Sequence, residues 1–142
     1  MIYVVDASVA IKWFVQESLH ERALDLFDHT TRLLAPDFIA AEVTNAAWKK
    51  CIRGEITRQQ AQTIAAGIGQ FFFKLHPATE LNEAALQIGL TLNHPIYDCL
   101  YIACAEANEG ILVTDDQRLV KAVGGTGFAS SVCPLRDFHP DI

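Results

Sequence analysis

The chain has 142 residues, 51% of them hydrophobic, and a formal net charge of −6. That length suits one domain with one substantial core, and the hydrophobic content excludes a disordered chain. The acidity argues against a simple DNA-binding module, which needs a basic surface. It fits an enzyme with clustered carboxylates or a protein with a basic partner.

The first predicted element is a strand within Ile2-Tyr3-Val4-Val5-Asp6-Ala7-Ser8-Val9. Its unbroken apolar run reads as a strand buried on both faces at the centre of a parallel sheet. Asp6 falls where that run ends. In open α/β sheets this is the rim where ligands bind. Two readings of Asp6 stand at this point. It is a helix N-cap, for which Asp and Ser are both suited, or a carboxylate whose desolvation is offset by a metal ion.

Val9 to Phe14 reads as a short helix. Ser18, with Glu21 three residues on, has the spacing of a capping box for a further helix. Leu33-Leu34-Ala35 reads as a strand ended by Pro36. From Pro36-Asp37 a helix is expected to about Arg53, stopped by Gly54. Glu42, Asn45 and Lys49 share one polar stripe of it, with Ala40, Ala41, Ala46 and Ala47 alongside. A solvated helix face is the plain reading of such a stripe, but the small neighbours let a backbone or substrate come close. Thr57 and Gln60 form a second capping-box candidate, opening a helix to about Gln70. Phe71-Phe72-Phe73-Lys74-Leu75 reads as a buried strand in preference to a base-stacking surface.

Thr79 is expected to cap a helix whose apolar face is Leu81, Ala84, Ala85, Ile88 and Leu92. His94-Pro95 ends it, and Ile96 to Asn108 reads as a buried helix with Asp98 in its first turn. Ile111-Leu112-Val113-Thr114 is a second buried strand, followed at once by Asp115-Asp116. Gln117 to Val123 reads as a short helix exposing Arg118 and Lys121, and Val132 to Leu135 as an edge strand. With no linker or repeat, residues 1–142 are read as one domain.

Cys51, Cys99, Cys104 and Cys133 show no CxxC spacing, so free thiols in a reducing compartment are expected. His20, His29, His76, His94 and His139 show no HxxxH or HExxH pattern, which disfavours a histidine-based metal site. No apolar run approaches the ~20 residues that cross a bilayer, and the N-terminus lacks signal-peptide features. A cytoplasmic protein without membrane association is expected.

Asp6 and Asp115/Asp116 thus follow buried strands, while Glu42 and Asp98 sit on helices among small apolar residues. In a parallel sheet, strand ends and helix starts share one rim. Four carboxylates gathered there call for a cation, and hard Mg²⁺ or Mn²⁺ suits oxygen ligands. Such an ion activates water and stabilises charge on a phosphoryl group, so phosphodiester hydrolysis is the natural reaction class.

Four segments in this order, VVDASVAIKWF, AAEVTNAAWK, YDCLYIACAE and LVTDDQRL, closely resemble a PIN-domain ribonuclease of the VapC toxin type. The resemblance spans nearly the whole chain. It implies an α/β fold, a three-layer α/β/α PIN-like domain with a mostly parallel central sheet. It implies a Mg²⁺- or Mn²⁺-dependent endoribonuclease, the toxin of a VapBC-type toxin–antitoxin module. Its acidic positions map onto Asp6, Glu42, Asp98 and Asp116 as metal-side and catalytic residues. Ser8 and Asn45 match its polar helpers. Its Thr-any-Asp pattern selects Thr114 and Asp116 and leaves Asp115 variable, although both acids follow the strand. Arg118 and Lys49 are candidates for RNA phosphate contacts, against a plain reading as solubilising charge. The implied partners are RNA, a VapB-type antitoxin, and a second copy in a homodimer that assembles further with the antitoxin. Two rival readings are an antitoxin-binding protein with a vestigial site and another metal-dependent phosphoryl hydrolase. For the latter, the first strand lacks the second Asp of a DxD motif.

Overall fold

The computed structural model describes residues 1–28 and 30–140; His29, Asp141 and Ile142 lie outside the described residues. The polypeptide begins with strand β1 (Ile2–Val5), followed by the short helix α1 (Ala7–Ala10) and a 3-10 turn (Ile11–Trp13). Next come α2 (His20–Leu24), β2 (Arg32–Pro36), α3 (Ile39–Ile52) and α4 (Arg58–Gly67). Then follow β3 (Lys74–His76), α5 (Asn82–Leu92), α6 (Ile96–Ala107), β4 (Ile111–Thr114), α7 (Gln117–Val123) and β5 (Val132–Pro134).

The five strands form one sheet in the order β3-β2-β1-β4-β5, and every pairing is parallel. Parallel neighbours need long crossovers, and the helices supply them on the flanks of the sheet, giving the α/β/α arrangement. The central strand is β1, paired through Tyr3–Leu33 on one side and Val4–Leu112 on the other. Val4 and Val5 are fully buried, as an apolar strand covered on both faces requires. The chain order reverses direction at β1, with β2 to one side and β4 to the other. The carboxyl ends of these two crossover directions flank a crevice, where Asp6 follows β1 and Asp115-Asp116 follow β4.

Helix α6 packs on β1, β2 and β4, which explains why seven of its residues, Cys99 to Ala105, are buried. Helix α5 runs against α6, and α3 packs on α4 and α1. Helix α3 stops where expected: Gly54 adopts φ +76°, a left-handed conformation that glycine takes without a Cβ clash. The Thr57–Gln60 capping box forms in full, with both reciprocal hydrogen bonds in place. No helix is long and apolar enough to cross a membrane among the described residues. The cysteines are free thiols; Cys99 and Cys104 are buried, and burial pushes them up to about 11 and about 12.

Four expectations are corrected. The first helix starts at Ala7 and not at Val9, because Asp6, at the expected end of β1, caps it through the Val9 amide. Ser18 makes no capping box: the N-cap of α2 is Leu19, in left-handed geometry at φ 66° with no side-chain cap. The Phe71–Leu75 run is not a buried strand. Phe71 closes a 3-10 turn and meets the rings of Trp13, Phe14 and Phe27, while Phe73 is exposed beneath the Arg32 guanidinium, and the strand is Lys74–His76. Thr79 lies inside a 3-10 turn and Leu81 is the N-cap of α5; Ala84 faces solvent and Gly89 takes a place in its buried face.

A Cβ on Gly110 would lie 2.8 Å from both the Ile2 carbonyl oxygen and its Cγ2. The backbone entering β4 therefore touches the start of β1 with no room for a side chain. Gly110→Ala is expected to lower stability by about 1–3 kcal/mol through this overlap. Chemical denaturation measures it, and an unchanged midpoint would contradict the tight β1–β4 approach.

Candidate active site at the carboxyl rim of the sheet

Asp6 is 6% exposed, at the end of the central strand, and both of its carboxylate oxygens are engaged. Oδ1 accepts a 2.5 Å hydrogen bond from the Ser8 hydroxyl and a 3.3 Å bond from the Val9 amide. Oδ2 accepts from the Thr114 hydroxyl at the end of β4. The cap and ligand readings of Asp6 are therefore compatible: the Val9 bond is the N-cap of α1, made by a carboxylate held at the rim.

Each hydroxyl beside Asp6 is itself fixed from behind. The Asp115 amide donates to Ser8 Oγ at 3.0 Å, and the Asp116 amide donates to Thr114 Oγ1 at 3.0 Å. A serine or threonine hydroxyl that accepts one bond directs its proton elsewhere. Here the direction is Asp6. The β4–α7 loop thus sets the orientation of a carboxylate on a different strand.

Burial pushes Asp6 up to about 7; the bonds from Ser8, Thr114 and Val9 oppose the rise, and the nearby Asp116 carboxylate adds to it. Asp116 caps α7, its Oδ1 accepting from the Arg118 amide at 3.0 Å and the Leu119 amide at 3.4 Å. Glu42, in the first turn of α3, accepts a 2.5 Å bond from the Tyr101 hydroxyl on α6. Burial raises Glu42 above the usual range; the Tyr101 bond opposes this and the Asp98 charge reinforces it. Burial, followed by the charges of Glu42, Asp6 and Asp98, holds Tyr101 far above its ordinary value, so its phenol keeps its proton. Asp98, in the first turn of α6, accepts from His94 Nε2 at 2.7 Å.

These couplings bring Asp6, Glu42, Asp98 and Asp116 into one electrostatic neighbourhood, with Asp6, Glu42 and Asp98 acting on Tyr101. Ser8 and Thr114 join it by hydrogen bonds. Asn45 is exposed one helical turn after Glu42, and Arg118 and Lys49 are exposed on α7 and α3. Asp115 is turned to a different partner: its Oδ2 lies 3.2 Å from the Nζ of Lys12. Tyr101, His94 and Lys12 escape a reading of the sequence alone. The only signals are positional: Tyr101 and His94 stand three residues after and four before Asp98, and Lys12 interrupts an apolar run.

Among the described residues, no three His, Cys, Asp or Glu side chains are grouped so as to hold a metal ion by themselves. The chemistry of the donors nevertheless fits one class of ion. Every candidate is a carboxylate, one is buried, and the charges of Asp116 and Asp98 add to the raised proton affinities of Asp6 and Glu42. A hard dication that keeps most of its waters needs only one or two such groups.

Comparison with known proteins places this architecture. Residues 3–125 match the model of the PIN domain family. The chain is 32% identical over 123 residues to Ribonuclease VapC3 of Pyrobaculum aerophilum, covering 85% of this chain and 94% of that one. A crystal structure of a P. aerophilum protein superposes with a TM-score of 0.69 at 21% identity, covering 96% of this chain and 90% of that one. A toxin–antitoxin complex from Klebsiella pneumoniae gives 0.67 at 15% identity, covering 96% and 99%. VapBC2 from Rickettsia felis, bound to a DNA fragment from its promoter, gives 0.63 at 14%, covering 94% and 98%.

The sign of the Asp6 shift dictates a pH dependence. Its folded value of about 7 lies above the ordinary value of 3.8, so the folded state holds this proton more tightly than the unfolded chain. The contribution is fully present below about pH 4 and is lost as pH rises through about 7. Without divalent cations, stability is expected to decline across this window. Asp6→Asn is expected to flatten the decline, as read by thermal unfolding in chelator. An equal decline in the variant would contradict the assignment.

Proposed function

The chain belongs to the PIN domain family, and on that premise we propose that it is a VapC-type endoribonuclease, dependent on Mg²⁺ or Mn²⁺. The observation that carries the reading is the buried Asp6 carboxylate, oriented by two hydroxyls and coupled to Asp116 across the rim. A lone buried acid with a raised proton affinity is costly to ionise, and a cation reverses that preference.

Asp6, Asp98 and Asp116 would hold the ion, with Glu42 beside it. When bound, it supplies positive charge for the phosphoryl group and lowers the pKa of a water. The chain's own residues do the rest. Ser8 and Thr114 fix the Asp6 carboxylate, and His94 fixes one oxygen of Asp98. Glu42, steadied by Tyr101 and more basic than a free glutamate, accepts the proton of the attacking water. Asp116 serves at the site in preference to Asp115, whose carboxylate is paired with Lys12. Arg118 and Asn45, exposed beside these acids, contact the RNA backbone. The similarity to Ribonuclease VapC3 supports RNA as substrate, and the likeness to a toxin–antitoxin complex and to VapBC2 supports a toxin role with a VapB-type antitoxin. We place the protein in the cytoplasm and read it as a homodimer that assembles further with its antitoxin. A basic antitoxin segment would complement the acidic rim. The presence of all four carboxylates disfavours a vestigial site.

Asp6→Asn and Asp98→Asn are each expected to reduce RNA cleavage at least about 100-fold, more than an outer-shell change costs. EDTA should abolish cleavage, and added Mn²⁺ should restore it in the wild type alone. Undiminished cutting by Asp6→Asn, or in chelator, would sink the reading.

A further inference from the structure

Lys12 is the one strongly buried lysine among the described residues, at 6% exposure, and it lies on the 3-10 turn directly after α1. Its Nζ stands 3.2 Å from Glu17 Oε1 and 3.2 Å from Asp115 Oδ2. The other Glu17 oxygen takes Lys50 of α3 at 2.6 Å. Burial raises the proton affinity of Glu17, but the hydrogen bonds and charges of Lys50 and Lys12 outweigh it and hold Glu17 ionised. The backbone of Lys12 is tied as well, its carbonyl lying 2.5 Å from His20 Nδ1. Glu17, itself held by Lys50, anchors the ammonium, and His20 ties the Lys12 backbone, so Asp115 meets a fixed partner.

Burying a lysine costs several kcal/mol unless its partners are well placed, and a hydrophobic residue of the same volume often serves stability as well or better. Packing alone gives no reason for an ammonium here. The position of Asp115 does. Its carboxylate is held by Lys12, its amide donates to Ser8 Oγ, and the Ser8 hydroxyl donates to Asp6 Oδ1. One residue on, the Asp116 amide holds Thr114 against the other Asp6 oxygen. Both hydroxyls that orient Asp6 thus depend on the loop that Lys12 grips.

We propose that Lys12 is a positioning residue of the acidic site. It draws the Asp115 carboxylate out of the metal-side group, and through the Asp115 amide and Ser8 it fixes the carboxylate of Asp6. This rests on the metal-dependent reading of the site given above. Lys12 touches neither substrate nor ion; it acts through the loop. Neutralising either end of the pair frees the loop, leaves Asp6 differently oriented, and weakens a divalent cation at the rim. Arginine at this position keeps the charge that pairs with the two carboxylates.

Three variants and two readouts test this. Mn²⁺ affinity is measured by electron paramagnetic resonance for the wild type, Lys12→Met, Lys12→Arg and Asp115→Asn. Amide hydrogen exchange at Asp115 and Asp116 is measured in chelator on the same proteins. Lys12→Met and Asp115→Asn are expected to raise the Mn²⁺ Kd about tenfold, the scale of an outer-shell change. Both variants should speed exchange at the two amides, and Lys12→Arg should restore both readouts. Asp115→Asn leaves Lys12 paired with Glu17, so it carries the test if Lys12→Met does not fold. Unchanged Mn²⁺ affinity in a folded Asp115→Asn, with the wild type binding Mn²⁺, overturns the proposal and leaves the nuclease reading standing. Unchanged amide exchange in that variant overturns the loop linkage whether or not metal binds. A wild type that binds no Mn²⁺ overturns the nuclease reading and this proposal with it, whereas faster exchange in that case still credits Lys12 with holding the loop.

Discussion

The structure turns on the contact between the Asp6 carboxylate and two hydroxyls, Ser8 from its own turn and Thr114 from the neighbouring strand. A carboxylate this deeply buried is tolerated only where its oxygens are satisfied. The parallel pairing of β1 with β4 sets Val5 opposite Val113, so Asp6 and Thr114 emerge side by side at the same rim. Register, not local propensity, makes the site. A slip of one residue between these strands would turn Thr114 to the other face and leave Asp6 Oδ2 without its hydrogen bond.

Around that contact the acids are arranged with unequal support. Asp6 is gripped through both oxygens, Asp116 is held by the N-terminus of α7, Glu42 by Tyr101 and Asp98 by His94. Asp6, Glu42 and Asp116 each have hydroxyl or backbone partners that orient the carboxylate without cancelling its charge. The exception is Asp115, the one acid of the rim given to a lysine. The distinction separates an acid that keeps its charge available from one that is structurally spent. It also gives adjacent aspartates on a single loop different roles, which their sequence positions alone do not.

Much of this was legible in the sequence because it is local. The apolar runs ending at Asp6 and at Asp115-Asp116 marked two buried strands and their rim, and the all-parallel sheet sharpened the mostly parallel expectation. Thr57 with Gln60 and Gly54 after α3 carried their capping and stop signals intact. What failed was decided by tertiary packing. The three adjacent phenylalanines satisfy a strand pattern, yet Phe71 is recruited into a ring cluster with Trp13, which breaks the strand before Lys74. Ser18 has the right neighbour for a capping box, but the chain enters α2 through a left-handed Leu19. Lys12 was readable only as a charge inside an apolar run; of its two partners, Asp115 stands 103 positions away and is found only when β1 and β4 are adjacent.

Everything proposed for this protein requires the rim to be a divalent-cation site built on Asp6. The most direct measurement is anomalous diffraction from crystals of the wild-type protein soaked in Mn²⁺. One or two anomalous peaks are expected within coordination distance of the Asp6 carboxylate and at least one of Asp98 and Asp116. A well-occupied peak elsewhere with none beside Asp6, or no peak at Mn²⁺ concentrations that support RNA cleavage, would contradict it.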